Sequence, residues 1–236
     1  MKILKHIPNA ITCGNLFCGC LGIIEVFEGQ MLTASFYILL AAVLDFLDGF
    51  VARLLNVSSP IGKELDSLAD CVTFGVLPGL ILYHYIQVSS MDVETPRRYA
   101  AFVLIIFSAV RLAKFNVDTR QSDSFIGVPT PANAMVVAAL PLIIAYHPDY
   151  AMVILEPFRL VVYCLLMAFL LVVEIPLFAL KFKNFGWKDN EIKYVFIALS
   201  IGLFGFLDVL AMPIIIALYI VVSLLAMWVN KIKAEG

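Results

Sequence analysis

Residues 31–53 read MLTASFYILLAAVLDFLDGFVAR, and this run settles what kind of protein the chain is. Its first fourteen residues carry no charge. At about 1.5 Å per residue it is long enough, as a helix, to cross a hydrocarbon core of roughly 30 Å. The rest of the chain is built the same way: of 236 residues, 62% are hydrophobic and 14% charged, with a mean hydropathy of +0.98. A soluble domain lies nearer half apolar and about a quarter charged. One water-soluble core cannot hide this much apolar surface. The same figures exclude disorder, collagen, coiled coil and a small disulfide-stapled domain. The expectation is an all-α integral membrane protein, a single domain over residues 1–236 with little outside the bilayer.

Eight candidate spans follow, near 10–27, 31–53, 67–88, 98–116, 130–147, 157–180, 192–208 and 210–230. The alternating basic and apolar residues of MKILKHI, 1–7, read as a short interfacial helix. No cleavable signal peptide is expected, because the apolar run after the N-terminal lysines continues into a full span. With eight spans and a cytoplasmic N-terminus, the inside segments hold Lys2, Lys5, Arg53, Lys63, Arg111, Lys114, Arg120, Lys181, Lys183, Lys188, Lys193, Lys231 and Lys233. The outside holds only Arg97, Arg98 and Arg159, thirteen against three. That asymmetry places both termini, and the loops 53–66 and 111–129, on the cytoplasmic side. Cys13, Cys18, Cys20, Cys71 and Cys164 have neither the spacing nor the histidine partners of a zinc site and read as small apolar fillers. The formal net charge of −2 says little about partners, and no nucleic acid is expected among them.

The segment 44–70, LDFLDGFVARLLNVSSPIGKELDSLAD, carries the chemistry. Asp45 and Asp48 lie three apart at the end of the second span, and Asp66 and Asp70 four apart at the start of the third. Each spacing puts the pair on one helical face. A carboxylate in a span costs at least about 2.5 kcal/mol and marks function by default. Four at one depth repel each other unless something offsets their charge. Three readings are open. Divalent cations of the Mg²⁺ or Mn²⁺ type take oxygen ligands of this kind. Protonation would suit an ion- or proton-coupled transporter. Pairing with Arg53 and Lys63 would make a purely structural network. His6, His84 and His147 are scattered, so the ligand set is all oxygen. Gly49, Ala52 and Gly62 leave space beside the carboxylates, although small residues also serve close helix packing.

Asp45-x-x-Asp48-Gly49-x-x-Ala52-Arg53, eight further residues, then Gly62-x-x-x-Asp66-x-x-x-Asp70 resembles the signature of the CDP-alcohol phosphotransferases, with every fixed position filled. The resemblance implies a six-helix membrane core, here with two helices added, and a homodimer. It implies transfer of a phosphoalcohol from a CDP-linked donor to a hydroxyl, with release of CMP and with two divalent cations as cofactors. Carried over by position, Asp45, Asp48, Asp66 and Asp70 would hold the metals. Asp70 would also be the base for the acceptor. Gly49, Ala52, Arg53 and Gly62 would contact the nucleotide and pyrophosphate of CDP-diacylglycerol.

The signature does not separate the acceptors. The first span, IPNAITCGNLFCGCLGI, and the segments VRLAKFNVD (110–118) and FIGVPTPANA (125–134) resemble the serine-accepting members, although parts of the first also occur in glycerophosphate-accepting relatives. Arg111, Lys114 and Asn116 then become candidate contacts for L-serine, whose carboxylate an Arg or Lys can hold. The alternative is that Arg111 and Lys114 are ordinary cytoplasmic anchors. Asn15 is expected to bond the nucleotide or a neighbouring helix. Glu174, deep in the sixth span, has no assignment beyond packing or a dimer contact.

Overall fold

The computed structural model describes residues 6–90, 96–118, 124–178, 186–187 and 190–235. Helix α1 (His6–Phe27) turns at Gly29 into α2 (Met31–Leu54). Gly29 has φ +77°, a conformation glycine reaches without a Cβ penalty. Helix α3 (Pro60–Asp70) runs through a π-helical turn, Cys71–Val76, into α4 (Leu77–Ser89). Then come α5 (Ala100–Val117), α6 (Thr130–Tyr146), the short α7 (Ala151–Ile154), α8 (Pro157–Val172), α9 (Glu191–Leu207) and α10 (Ala211–Glu235). Two three-residue strands, β1 (Ser124–Ile126) and β2 (Pro176–Phe178), pair antiparallel with Phe125 opposite Leu177. The protein is an all-α, multi-pass membrane protein, as its composition requires.

Each of the eight expected segments contains a helix, but fewer qualify as crossings. Among the described residues five helical stretches are long and apolar enough: 6–27, 31–54, 60–89, 96–117 and 191–228. A sixth is added if α6 and the following 148–154, bent by 118°, are one span. The segment expected at 157–180 is helical only to Val172; its 16 residues reach about 24 Å, because the chain leaves the helix to form β2. The 191–228 stretch folds back at Asp208, where φ is +50°. Phe196 and Tyr219 have ring centroids 5.9 Å apart, whereas a straight helix would separate them by about 35 Å. The interfacial helix expected at 1–7 falls mostly outside the described residues, as do Lys2, Lys5, Arg120, Lys181, Lys183 and Lys188. All five cysteines are free.

Helix α4 is the centre of the core: Leu77, Ile81, Leu82 and Ile86 are fully buried, with Phe74 before them and Leu104 of α5 beside them. Helix α1 lies along α2 and crosses α3 and α4. Gly19 and Gly22 permit that crossing, since a Cβ on either would strike Thr73 or Leu77. In lipid, where burial of apolar surface does not drive helices together, such close approach is what holds them. Large apolar side chains such as Phe206, Met152 and Phe27 stay exposed on the outside, where they meet acyl chains.

Local chemistry fixes the segments that carry the site. The Ser59 hydroxyl accepts from the Gly62 N–H at 2.9 Å, and Pro60 fills the first helical turn, so α3 begins one and a half turns before Asp66. At the other side of the bundle Glu156 caps α8 by accepting from the N–H groups of Phe158 and Arg159. Gly127, at φ +74°, lies against the Leu171 carbonyl, and Val128 N–H donates to the Leu170 carbonyl at 2.9 Å. These bonds seat the start of α6 against the end of α8.

Candidate active site

The ends of α2 and α3 bring the aspartates together. One carboxylate oxygen from each of Asp45, Asp48 and Asp66 lies within 4.8 Å of the others. Asp70, one turn further along α3, has its carboxyl beside that of Asp45. Asp48 and Asp70 are buried, Asp45 and Asp66 half-buried. Among the described residues no Lys or Arg forms an ion pair with any of the four, so the purely structural network with Arg53 and Lys63 is not present. The backbone beyond Asp70 is π-helical, a rare local geometry that recurs at functional sites.

Helix α1 supplies the support. Thr12 Oγ1 donates to Asp48 Oδ2 at 2.6 Å, and Asn15 Nδ2 donates to Asp70 Oδ1 at 3.3 Å. The backbone carbonyl of Asn15 accepts from Thr73 Oγ1 on the π turn at 3.2 Å. Thr12, Asn15 and Thr73 are all buried. Asn15 therefore holds the carboxyl expected to act as base rather than facing the nucleotide pocket.

That pocket lies outside the cluster, with a volume of about 200 Å³. Its floor is Asp48, Gly49, Ala52 and Asp66; Pro8, Asn9 and Thr12 of α1 form one wall, and the loop 57–59 with Gly62 and Lys63 forms the other. Gly49, Ala52 and Gly62 thus stand where the spacing placed them. Gly62 has no room for a side chain, since a Cβ would lie 2.8 Å from Asn9 Oδ1. Arg53 does not line the pocket; its guanidinium folds back over Gly49, with Nη1 3.4 Å from where a Cβ on that glycine would stand. The sequence reading gave no site role to Asn9, Thr12 or Ser59 and gave Lys63 only a structural one. The signal was there: Asn9, Thr12 and Asn15 recur every third residue of an apolar helix and continue into Gly19 and Gly22 as one polar, then small, stripe.

Arg111 is buried at the end of α5, close enough to Asp70 to interact electrostatically. Its Nη1 donates to Thr130 Oγ1 at 3.3 Å, its guanidinium covers the Phe115 ring at 5.1 Å, and its Nε has no partner. Lys114 lies exposed beside it on a second cleft. Asn116 points elsewhere: its Nδ2 donates to Ser67 Oγ at 2.9 Å and its carbonyl accepts from Lys63 Nζ at 2.8 Å, lacing α5 to α3.

The donor set fits hard divalent cations. The ligand atoms are carboxylate oxygens held close together with no cation among them, and the groups behind them are fixed by hydrogen bonds. A partly buried, hydrogen-bonded carboxylate cluster of this kind beside an open pocket, once it holds such cations, is suited to gripping a pyrophosphate. A multi-pass membrane protein with a carboxylate cluster suited to divalent cations beside an open pocket is the class these features define.

The comparisons agree. The CDP-alcohol phosphatidyltransferase family profile matches residues 5–176, and the chain belongs to that family, whose members use divalent metal. The match ends before α9 and α10. The chain is 41% identical over 138 residues to a CDP-diacylglycerol–serine O-phosphatidyltransferase of Helicobacter pylori, an alignment covering 58% of this chain and 57% of that protein. It is 37% identical over 145 residues to the protein of that name from Bacillus subtilis, covering 61% and 79% respectively. With that of Saccharomyces cerevisiae it shares 37% over 151 residues, covering 57% and 53%. The chain thus spans little more than half the length of the Helicobacter and yeast relatives it matches.

Proposed function

We propose that the protein is a CDP-diacylglycerol–serine O-phosphatidyltransferase, a transferase of phospholipid biosynthesis. The reading is carried by one arrangement: the aspartate cluster has the open pocket lined by Gly49, Ala52 and Gly62 on one side and a buried arginine near Asp70 on the other. CDP-diacylglycerol places its cytidine and pyrophosphate against Gly49, Ala52 and Gly62, while its acyl chains stay in lipid. Asp45, Asp48, Asp66 and Asp70 would hold two divalent cations, Mg²⁺ or Mn²⁺, which would offset the negative charge of the pyrophosphate and of the departing CMP. The serine carboxylate lies against Arg111, with Lys114 beside it. Asp70 takes the hydroxyl proton as the serine oxygen bonds to the phosphatidyl phosphorus. The bond from that phosphorus to the CMP oxygen breaks, and CMP leaves with the electron pair. Direct displacement is favoured over a covalent intermediate, because among the described residues no Ser or His at the cluster is hydrogen-bonded to a base that would activate it. Arg53 and Asn116 act by position, the first over Gly49 and the second between α5 and α3.

We also propose a single catalytic domain, a homodimer, and a cytoplasmic active site with both termini on that side. The orientation rests on charge: Arg53, Lys63, Arg111 and Lys114 gather at the end of the bundle that carries the aspartates, while Arg97, Arg98 and Arg159 stand at the other. The test is CMP release by the purified protein in detergent, with CDP-diacylglycerol and Mn²⁺ or Mg²⁺. Serine, glycerol 3-phosphate and inositol phosphate are offered separately. Metal-dependent release with serine alone is expected. Release only with glycerol 3-phosphate would keep the cluster's role and discard serine; no release with any acceptor, from folded protein, would return the cluster to a transporter role.

A further inference from the structure

The family profile ends at residue 176, yet α9 and α10 do not stand apart from the elements around Arg111. Helix α10 packs against α6 and β2. There Tyr219, itself buried, donates its hydroxyl to the Phe178 carbonyl at 2.8 Å. Its ring meets the Phe178 ring edge-on at 5.0 Å, and Phe196 of α9 closes the cluster, 5.7 Å from Phe178 and 5.9 Å from Tyr219. Edge-to-face pairs of this kind add to what buried area alone contributes.

Phe178 ends a strand pair that needs such a hold. β1 and β2 are three residues each, and a two-stranded ladder that short is marginal by itself. What the ladder carries is the start of α6. Ser124 pairs with Phe178 and Ile126 with Pro176; Gly127 N–H then donates to the Ile175 carbonyl at 3.0 Å and Val128 N–H to that of Leu170 at 2.9 Å. Two residues further on, Thr130 is fully buried, and its Oγ1 accepts from Arg111 Nη1 at 3.3 Å. A continuous run of hydrogen-bonded backbone thus leads from a hydroxyl on α10 to the guanidinium assigned to the serine carboxylate. Tyr219 and Arg111 are also near enough to each other to interact electrostatically.

We infer that Tyr219 is a positioning residue of the acceptor site: by holding the strand pair through the Phe178 carbonyl it fixes Thr130, and through Thr130 the guanidinium of Arg111. The inference rests on the serine reading above and gives α9 and α10, which lie beyond the family match, a part in it. Anchoring in lipid would ask nothing of the Tyr219 hydroxyl, since packing alone holds helices there.

The experiment is CMP release by the full chain in detergent, with serine and CDP-diacylglycerol varied in turn, for Tyr219→Phe. This variant keeps the ring and removes the donor. Serine KM is expected to rise about three- to tenfold, the range for one hydrogen bond between neutral groups. The KM for CDP-diacylglycerol and the kcat at saturating serine stay near wild type. Arg111→Ala lowers kcat/KM for serine by itself, and adding Tyr219→Phe to it changes that value by less than about twofold, because the hydroxyl acts through the guanidinium already removed. An unchanged serine KM in Tyr219→Phe, an equal rise in both KM values, or the same fold-loss with Arg111 gone would each overturn the inference. If Tyr219→Phe fails to fold, Phe196→Leu loosens the same cluster from α9, and an unchanged serine KM there would overturn it equally. Wild-type protein that releases CMP only with glycerol 3-phosphate would overturn the serine reading and this inference with it, whereas wild-type turnover of serine with a KM that Tyr219→Phe leaves unmoved overturns the inference alone.

Discussion

Replacing Asn15 by leucine tests how the cluster is built. Asn15 is fully buried, and the one bond its amide nitrogen makes runs 3.3 Å to Asp70 Oδ1. Leucine has nearly the same shape, so the change removes the donor without opening space for a water. Hydrogen bonds to charged groups contribute about 1.5–3 kcal/mol. At 3.3 Å this one is longer than the usual 2.7–2.9 Å of charge-assisted bonds, which puts it near the lower figure. About 1.5 kcal/mol corresponds to roughly a tenfold loss. The loss falls on kcat, because the bond orients the group that takes the acceptor's proton, while KM for CDP-diacylglycerol stays within about twofold. Steady-state CMP release, with each substrate varied in turn at saturating metal, measures both. The backbone bond from Thr73 to the Asn15 carbonyl survives the change, so the crossing of α1 over the π turn is kept. A raised donor KM with unchanged kcat would refute the argument and return Asn15 to the nucleotide, one of the two roles the sequence left open.

Asp70→Asn should lower CMP release by about 10²–10⁴, the contribution of a positioned general base, with CDP-diacylglycerol still bound; full activity would remove Asp70 from that role. Thr12→Val keeps the shape but removes the 2.6 Å bond to Asp48, so the Mn²⁺ concentration for half-maximal release should rise about 10–100-fold; an unchanged metal titration would show that Thr12 does not orient the ligand. Gly62→Ala places a methyl 2.8 Å from Asn9 Oδ1 and 3.0 Å from Ser59 Oγ at the edge of the pocket, and should raise donor KM about tenfold. Adding Asn9→Ala should recover part of that; no recovery would move the clash elsewhere. Arg111→Ala should raise serine KM more than donor KM, and equal effects would take Arg111 out of the acceptor site.

What the sequence disclosed and what it hid divide along a physical line. Periodicity within one helix is written in the chain, and Asp45, Asp48, Asp66 and Asp70 could be placed on facing turns from spacing alone. The same period ran through Asn9, Thr12 and Asn15, yet their partners belong to other helices, and nothing local says that Thr12 meets Asp48 or that Asn15 meets Asp70. Composition gave the membrane, but the number of crossings depends on where an apolar run bends. Asp208 folds one such run back on itself with a single positive φ, a change that barely alters hydropathy. Glu174 is the sharpest case. Read along the chain it is an acidic residue stranded in an apolar span, because nothing marks Val172 as the end of α8. Once the helix ends there and the chain turns into β2, Glu174 lines a cleft together with Arg111, more than sixty residues away in the chain.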